Sequence, residues 1–175
     1  MSFQADHGQS MDKHPPLRTG LIGRGIAASR SPRIHEAEAE ALGLSLTYAL
    51  IDFAEIGRAD AQLGQTVREF ASKGWQGSNV TFPFKQSVMV HCDSLSEAAS
   101  ALGAVNTLVF RSGKVHGENT DWLGFTWLLE REIGAITGQR IAQIGAGGAG
   151  SATAYALARL GASEVALHDP ATDRA

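Results

Sequence analysis

Short apolar runs alternate with longer stretches of helical spacing along most of the chain, and glycine or proline punctuates nearly all of them. Residues 19–23 read as a first buried strand. Ser31 then precedes Pro32, a preferred cap before a preferred first helical residue, so a helix is expected from there to about Leu42, stopping at Gly43. The pattern predicts a strand over 46–51 and an amphipathic helix over 56–72 that ends near Gly74. Residues 77–81 form a short strand broken at Pro83, and two short helices are expected over 85–91 and 94–102. Residues 105–110 and 114–116 look like a hairpin around Ser112 and Gly113. A helix over 120–132 and a connector over 134–138 lead into a strand over 140–144, a glycine-rich turn, another helix and a strand over 164–168. Strands alternating with helices imply an α/β chain with a largely parallel sheet.

The glycine-rich turn carries specific chemistry. Gly145, Ala146, Gly147, Gly148, Ala149 and Gly150 match G-x-G-x-x-G between a strand and a helix, the fingerprint of a dinucleotide-binding βαβ unit. Gly145 permits the tight turn, Gly147 lets the backbone approach a pyrophosphate, and Gly150 lets helix and strand pack closely. The helix start adds N–H groups and a positive dipole end for the phosphates. The second strand follows at the right distance and ends in Asp169, where a ribose hydroxyl is commonly bound. Two units are therefore expected, 18–119 and 120–175, after a loose polar tail over 1–17 in which Met11 is an alternative start. The second unit, the start of a Rossmann-like domain, is expected to be incomplete. A doubly wound nucleotide domain needs about six strands, and two strands leave a long edge and an uncovered apolar face.

Composition narrows the classes without choosing among them. With 43% apolar and 19% charged residues and 20 glycines in 175, the chain reads as a soluble globular α/β protein. A net charge of −3 without a basic cluster argues against nucleic acid as a partner. Cys92 stands alone, so there is no disulfide framework, and six scattered histidines offer no ligand-like pairing, so no metal is expected. No apolar run approaches the ~20 residues of a membrane span, and no signal core opens the chain, so a cytoplasmic protein without a membrane partner is expected. The oligomeric state stays open, a homodimer included.

Three upstream segments add up to a family. They are Ser29-Arg30-Ser31-Pro32-Arg33-Ile34-His35, Gly77-Ser78-Asn79-Val80-Thr81-Phe82-Pro83-Phe84-Lys85 and Leu102-Gly103-Ala104-Val105-Asn106-Thr107. With Gly117-Glu118-Asn119-Thr120-Asp121 and the glycine turn, their order and spacing resemble the shikimate/quinate dehydrogenases from Gly20 to the last residue. The resemblance implies an N-terminal α/β substrate domain ahead of the nucleotide unit, with the active site in the cleft between them. It implies hydride exchange between a nicotinamide and a ring hydroxyl of shikimate or quinate, with one group moving the hydroxyl proton. Lys85 is the matching proton-transfer group and Asp121 its positioning partner. By motif match Ser29 and Ser31 hold the substrate carboxylate, and Asn79, Thr81, Asn106 and Asp121 hold ring hydroxyls, while Thr120 shapes the loop.

Plainer readings of single residues stand beside these. Ser31 and Asp121 would each suit a helix N-cap in any protein. Asn79 and Asn106 could satisfy strand-end backbone groups, and a lone lysine is ordinarily solvated. Cys92 reads as a small core residue, His35 as a helix-surface hydrogen bonder, and Trp75, Trp122 and Trp127 as packing, with Trp122 able to border the site.

NADP-dependent members of the family place an Asn-Arg-Thr-like segment after the second nucleotide-domain strand. Here that segment is His168-Asp169-Pro170-Ala171-Thr172-Asp173-Arg174. Asp169 would accept hydrogen bonds from a free ribose hydroxyl and repel a phosphate, since like charges at ~4 Å cost roughly 4 kcal/mol near a surface. NAD is therefore expected over NADP, with Asp173 beside the one counterweight, Arg174. NAD use and the first motif resemble quinate/shikimate dehydrogenases of catabolic type more than strictly biosynthetic ones. Two alternatives stay open: a non-catalytic shikimate- or quinate-binding module, and a related two-domain dehydrogenase of another small metabolite.

Overall fold

A computed structural model describes residues 16–171. The expected tail through residue 15, with Met11, and the positions Asp173 and Arg174 lie outside the described residues. The main sheet has six strands, in the order Leu46–Asp52, Leu17–Gly23, Gly77–Val80, Thr107–Arg111, Lys114–Glu118 and Ser94–Leu95. Strand β1 (Leu17–Gly23) pairs parallel with β2 (Leu46–Asp52) on one side and β3 (Gly77–Val80) on the other. It starts at Leu17, two residues earlier than its apolar run suggests, because Leu17 pairs with Leu46 and its N–H donates to the Ser45 carbonyl.

The pairings are mostly parallel, as expected, and the expected hairpin adds an antiparallel part. Strand β3 meets β5 (Thr107–Arg111) antiparallel, and β5 turns back into β6 (Lys114–Glu118). Ser112 and Gly113 both hold positive φ, 49° and 73°, the backbone that a two-residue hairpin with right-handed strand twist demands.

Helix boundaries follow local chemistry. Helix α1 (Ser31–Ala41) ends where Gly43 takes φ 70°, so that its N–H reaches Glu40 and the Leu44 N–H reaches Ala39, a Schellman arrangement. Ser31 is the first helical residue and not the cap, which falls on Arg30 with no side-chain bond. The helix expected from residue 56 begins as α2 at Leu63 (Leu63–Ser72), behind a 3-10 turn at Asp60–Gln62. Gly57 at φ 64° breaks the first turn, while Leu63 and Val67 sink into the core at helical spacing.

Residues 85–91 form only a 3-10 turn, Ser87–His91. The helix expected over 94–102 splits. Ser94–Leu95 pair as β4 against β6, and α3 (Glu97–Leu102) starts after Ser96, whose hydroxyl accepts the Ala99 N–H. The Asp93 carboxylate accepts the Val115 N–H at 2.8 Å and thereby pulls Ser94 into strand pairing. Ile22, Phe53, Val67, Val88, Ala99, Val105 and Val115 have no solvent exposure, and Phe84 only 1%; the register puts Ile22, Ile51, Val80, Leu108, Phe110 and Val115 on one face of the sheet, where this core lies.

Helix α4 (Asp121–Glu132) leads to the second sheet, a parallel pair of β7 (Arg140–Ile144) and β8 (Glu164–His168) joined by α5 (Gly148–Arg159). Trp122 of α4 meets Tyr155 of α5 edge-on at 5.4 Å, and Arg159 of α5 reaches Glu97 of α3 at 3.4 Å. No helix among the described residues is long and apolar enough to cross a membrane.

Candidate active site

Lys85 lies just past β3, in a segment held from two directions. Phe84 is buried against Phe53, with ring centroids 4.7 Å apart, and the Lys85 carbonyl accepts the Val105 N–H at 2.7 Å. Its backbone so fixed, Lys85 sends Nζ to within 2.7 Å of Asp121 Oδ2. Both side chains are about a third exposed, at 31% and 34%, so the pair faces the solvent of a cleft and is not sealed in the core.

Asp121 opens α4, where a helix dipole favours a carboxylate. It is not an N-cap acceptor. Its own N–H donates to Asn119 Oδ1 at 3.1 Å, and Asn119, 3% exposed, is tied through Nδ2 to the Ala104 carbonyl. The free Asp121 oxygen, Oδ1, accepts Asn106 Nδ2 at 2.7 Å. The Asn106 Oδ1 accepts the Thr120 N–H at 3.0 Å, so Thr120 does tie the loop.

The other polar residues expected at the site connect to this pair in a row. Asn79 Nδ2 donates to Thr107 Oγ1 at 3.2 Å, and Thr107 Oγ1 donates to Asn106 Oδ1 at 2.9 Å. Tyr48 donates its hydroxyl to Asn79 Oδ1 at 2.7 Å. Ser29 and Ser31 bond to each other at 3.2 Å, and Ser31 also bonds the Tyr48 oxygen. The loop that brings these serines in is anchored by Asp52, whose oxygens accept the Gly25 and Ile26 N–H groups at 2.9 and 2.6 Å. Burial would raise the Asp52 carboxyl, but N–H groups from Gly25, Ala54, Ile26 and Ala27 hold it below its ordinary 3.8.

Across the cleft stands the glycine turn. Gly145 holds φ 99°, and a Cβ on Gly150 would collide with the Gly145 carbonyl. A Cβ on Gly147 or Gly148 would meet nothing within 4 Å, so the backbone before α5 is open to a ligand. Gln143 closes the turn from beneath, donating Nε2 to the Gly145 and Gly150 carbonyls at 2.7 and 2.8 Å. Asp169 braces it from the side, with Oδ2 accepting the Ala146 N–H at 2.8 Å and Oδ1 the Ala171 N–H at 2.9 Å. An open helix start with uncrowded backbone suits a pyrophosphate, and a carboxylate acceptor suits a ribose hydroxyl.

A cleft of about 630 Å³ joins the two parts. Thr81, Lys85 and Asp121 line one side, and Ala146, Gly147, Gly148 and Ala149 the other. Ser29, Ser31, Asn79 and Asn106 do not form its wall and connect to Asp121 through the row of hydrogen bonds. Gly145, Gly150 and Asp169 shape the turn from behind.

Tyr48, Thr107, Asn119 and Gln143 did not figure among the expected site residues. Asn119 and Thr107 sit inside the recognised segments, and Gln143 is a lone amide in an apolar strand, so each left a trace. Tyr48 left none. Of the plainer expectations, packing holds for Trp75, Trp122 and Cys92, while Trp127 stands largely in solvent. His35, exposed on α1, stacks its ring on Tyr48 at 4.6 Å and 8°. Trp122 packs on Tyr155, away from the cleft wall, and Trp127 is 61% exposed under the Arg131 guanidinium. Trp75 stacks on Phe70, and Cys92 is half-buried against the core, its thiol pushed up by burial to about 11. Among the described residues no group of histidine, cysteine or carboxylate side chains could hold a metal ion.

Known proteins resemble this chain in sequence and in fold. The shikimate dehydrogenase substrate binding domain family matches residues 21–108. A shikimate dehydrogenase (NADP(+)) of Streptomyces avermitilis is 46% identical over 156 residues, which cover 89% of this chain and 54% of the relative. A quinate/shikimate dehydrogenase (NAD(+)) of Corynebacterium efficiens is 40% identical over 157 residues, covering 89% and 55%. The structure of a quinate dehydrogenase from Corynebacterium glutamicum in complex with NAD superposes with a TM-score of 0.83 at 38% identity, covering 91% of this chain and 57% of that one. The chain thus spans about half the length of the curated relatives it matches.

Proposed function

Because this chain belongs to the shikimate/quinate dehydrogenase family, we propose that it provides the substrate-binding part and the proton-transfer pair of an NAD-dependent enzyme that interconverts shikimate or quinate with the 3-dehydro ketone. The observation that carries this reading is the Lys85–Asp121 pair, 2.7 Å apart, on a cleft whose far wall is the glycine turn. In oxidation, the neutral Lys85 amine takes the proton of the ring hydroxyl while the hydride leaves the carbon that bears it. In reduction, the Lys85 ammonium returns that proton to the ketone oxygen. Asp121 holds Nζ in place and accepts a ring hydroxyl, Ser29 and Ser31 take the substrate carboxylate, and Asn79, Thr81 and Asn106 take the remaining hydroxyls.

The cofactor, when bound, supplies the hydride acceptor. Gly145, Ala146, Gly147, Gly148, Ala149 and Gly150 would hold its pyrophosphate and Asp169 its ribose. Relatives are named for both nucleotides, so the preference for NAD rests on the Asp169 charge. We assign residues 18–119 to the substrate domain and 120 onward to the nucleotide domain, acting in the cytoplasm. Formation of reduced nicotinamide from shikimate or quinate, measured with each nucleotide, tests the reading. A kcat/KM larger with NADP than with NAD defeats the NAD assignment.

A second reading has one observation behind it. Ile144 and Leu167, on the two strands β7 and β8, are 86% and 39% exposed, so the nucleotide sheet of this chain is thinly covered. The chain would then act as a shikimate- or quinate-binding module without turnover. Separate calorimetric titrations discriminate: shikimate binding with no NAD binding favours the module.

A further inference from the structure

Six polar side chains leading to Asp121 form one hydrogen-bonded row whose direction is dictated at its end. A carboxylate can only accept, so Asn106 must present Nδ2 to Asp121 Oδ1, as it does at 2.7 Å. Its Oδ1 is then turned to the other side, where it accepts the Thr107 hydroxyl at 2.9 Å. The single Thr107 proton is thereby committed, so toward Asn79 this hydroxyl can only accept, and it meets Asn79 Nδ2 at 3.2 Å. That turns Asn79 Oδ1 to Tyr48, whose hydroxyl donates at 2.7 Å. Ser31 in turn donates to the Tyr48 oxygen, and Ser29 bonds Ser31 at 3.2 Å.

We propose that Tyr48 and Thr107 are positioning residues, which through this one-way row fix the amide orientation of Asn79 and Asn106 and so decide where donors and acceptors meet a polyhydroxylated carboxylic acid in the cleft. The proposal rests on the functional reading above for its ligand, but the row itself is a property of the free chain. A flipped amide would put oxygen against the Asp121 carboxylate or nitrogen against the Tyr48 proton, and either mismatch is costly in a half-buried network. Tyr48 is built for the role of permanent donor. It is 5% exposed, its ring is clamped on His35, and burial pushes its hydroxyl up to about 12, so it keeps its proton at neutral pH. Thr107 is the one link in contact with both asparagines and has no partner to spare.

The test uses the 175-residue chain labelled with nitrogen-15, comparing native protein with Tyr48→Phe, Thr107→Val and Thr107→Ser. Tyr48→Phe removes the proton that starts the row, with Asn79, Thr107 and Asn106 standing between it and Asp121. We expect it to shift the side-chain amide resonances of Asn106 as well as those of Asn79, and to weaken shikimate binding by calorimetry about tenfold, the loss of one buried bond. Thr107→Val should do the same, and Thr107→Ser, which keeps the hydroxyl, should restore both readouts. The spectra themselves report that each variant is folded. An Asn106 amide pair that stays at its native position in Tyr48→Phe overturns the proposal, and so does native shikimate affinity in that variant. If native protein binds no shikimate at all, the functional reading fails, and the Asn106 resonances alone then decide for or against the row.

Discussion

Both sheets of this chain are built from strand, turn and helix, yet they end in opposite states. In the six-stranded sheet Ile22 of β1, Val80 of β3, Leu108 of β5 and Val115 of β6 are at most 2% exposed. In the two-stranded sheet Ile144 remains 86% exposed, and Phe125, Leu129, Ile133 and Ile141 border an open groove of about 610 Å³. The difference lies in layers: a sheet covered on both faces closes its core, whereas two strands with one helix cannot. It also divides the chemistry. The groups proposed to face substrate stand on the rigid part, where a misplaced atom is resisted by packing. The glycine turn stands on the sparse part, and there two side chains, Gln143 and Asp169, do locally what packing does elsewhere.

The largest expected effect tests the rigid part as a chemical platform. Lys85→Ala should lower turnover by about 10²–10⁴-fold, the usual contribution of a general acid–base group. A variant that retained native kcat would remove Lys85 from the mechanism. Next comes stability. Leu63→Ala, at 2% exposure, should cost about 2–5 kcal/mol in denaturant unfolding, while Ile144→Ser should stay within about 0.5 kcal/mol. Equal losses at the two positions would erase the contrast between the sheets.

Gln143→Leu sharpens the contrast from the other side. It removes two bonds to the turn and also a buried oxygen, Oε1, that has no partner. Unfolding stability should therefore change little, while NAD affinity by titration falls about tenfold. Native NAD affinity would show that the turn holds its shape unaided.

The smallest effect is one of pH. The Arg68 guanidinium and the Val115 N–H hold the Asp93 carboxyl down at about 2, against an ordinary 3.8. Because the folded value is depressed, its stabilisation is complete above pH ~4 and is lost as pH falls toward 2. Asp93→Asn should flatten the acid limb of stability over that window, and an unchanged limb would show that Asp93 does not tie β4 to β6 in this way.

Much of the fold was legible because its signals are local. Gly43 stops α1, Ser112 and Gly113 turn the hairpin, and the glycine turn sits between its strand and helix, each through a backbone conformation that short stretches of sequence specify. The misread elements lost to non-local bonds. Ser94 and Leu95 have helical neighbours but are captured by β6, and the stretch before Leu63 has helical spacing but folds around a buried Phe53 and a positive-φ Gly57. At the candidate site the motif segments named Lys85, Asp121, Asn79 and Asn106, since their spacing is a family pattern. Tyr48 could not be named that way, because a tyrosine in a strand looks like any core aromatic until its hydroxyl is seen on Asn79.

The motif segments alone carried the resemblance to the family, and local patterns along the chain marked the α/β class and the position of the glycine turn. The fold settled the rest: β5 meets β3 antiparallel, Lys85 lies 2.7 Å from Asp121 across 36 positions of sequence, and a row of hydrogen bonds runs from the serines to that pair. Such contacts join segments distant along the chain, and their geometry is set by the packing of the sheet between them.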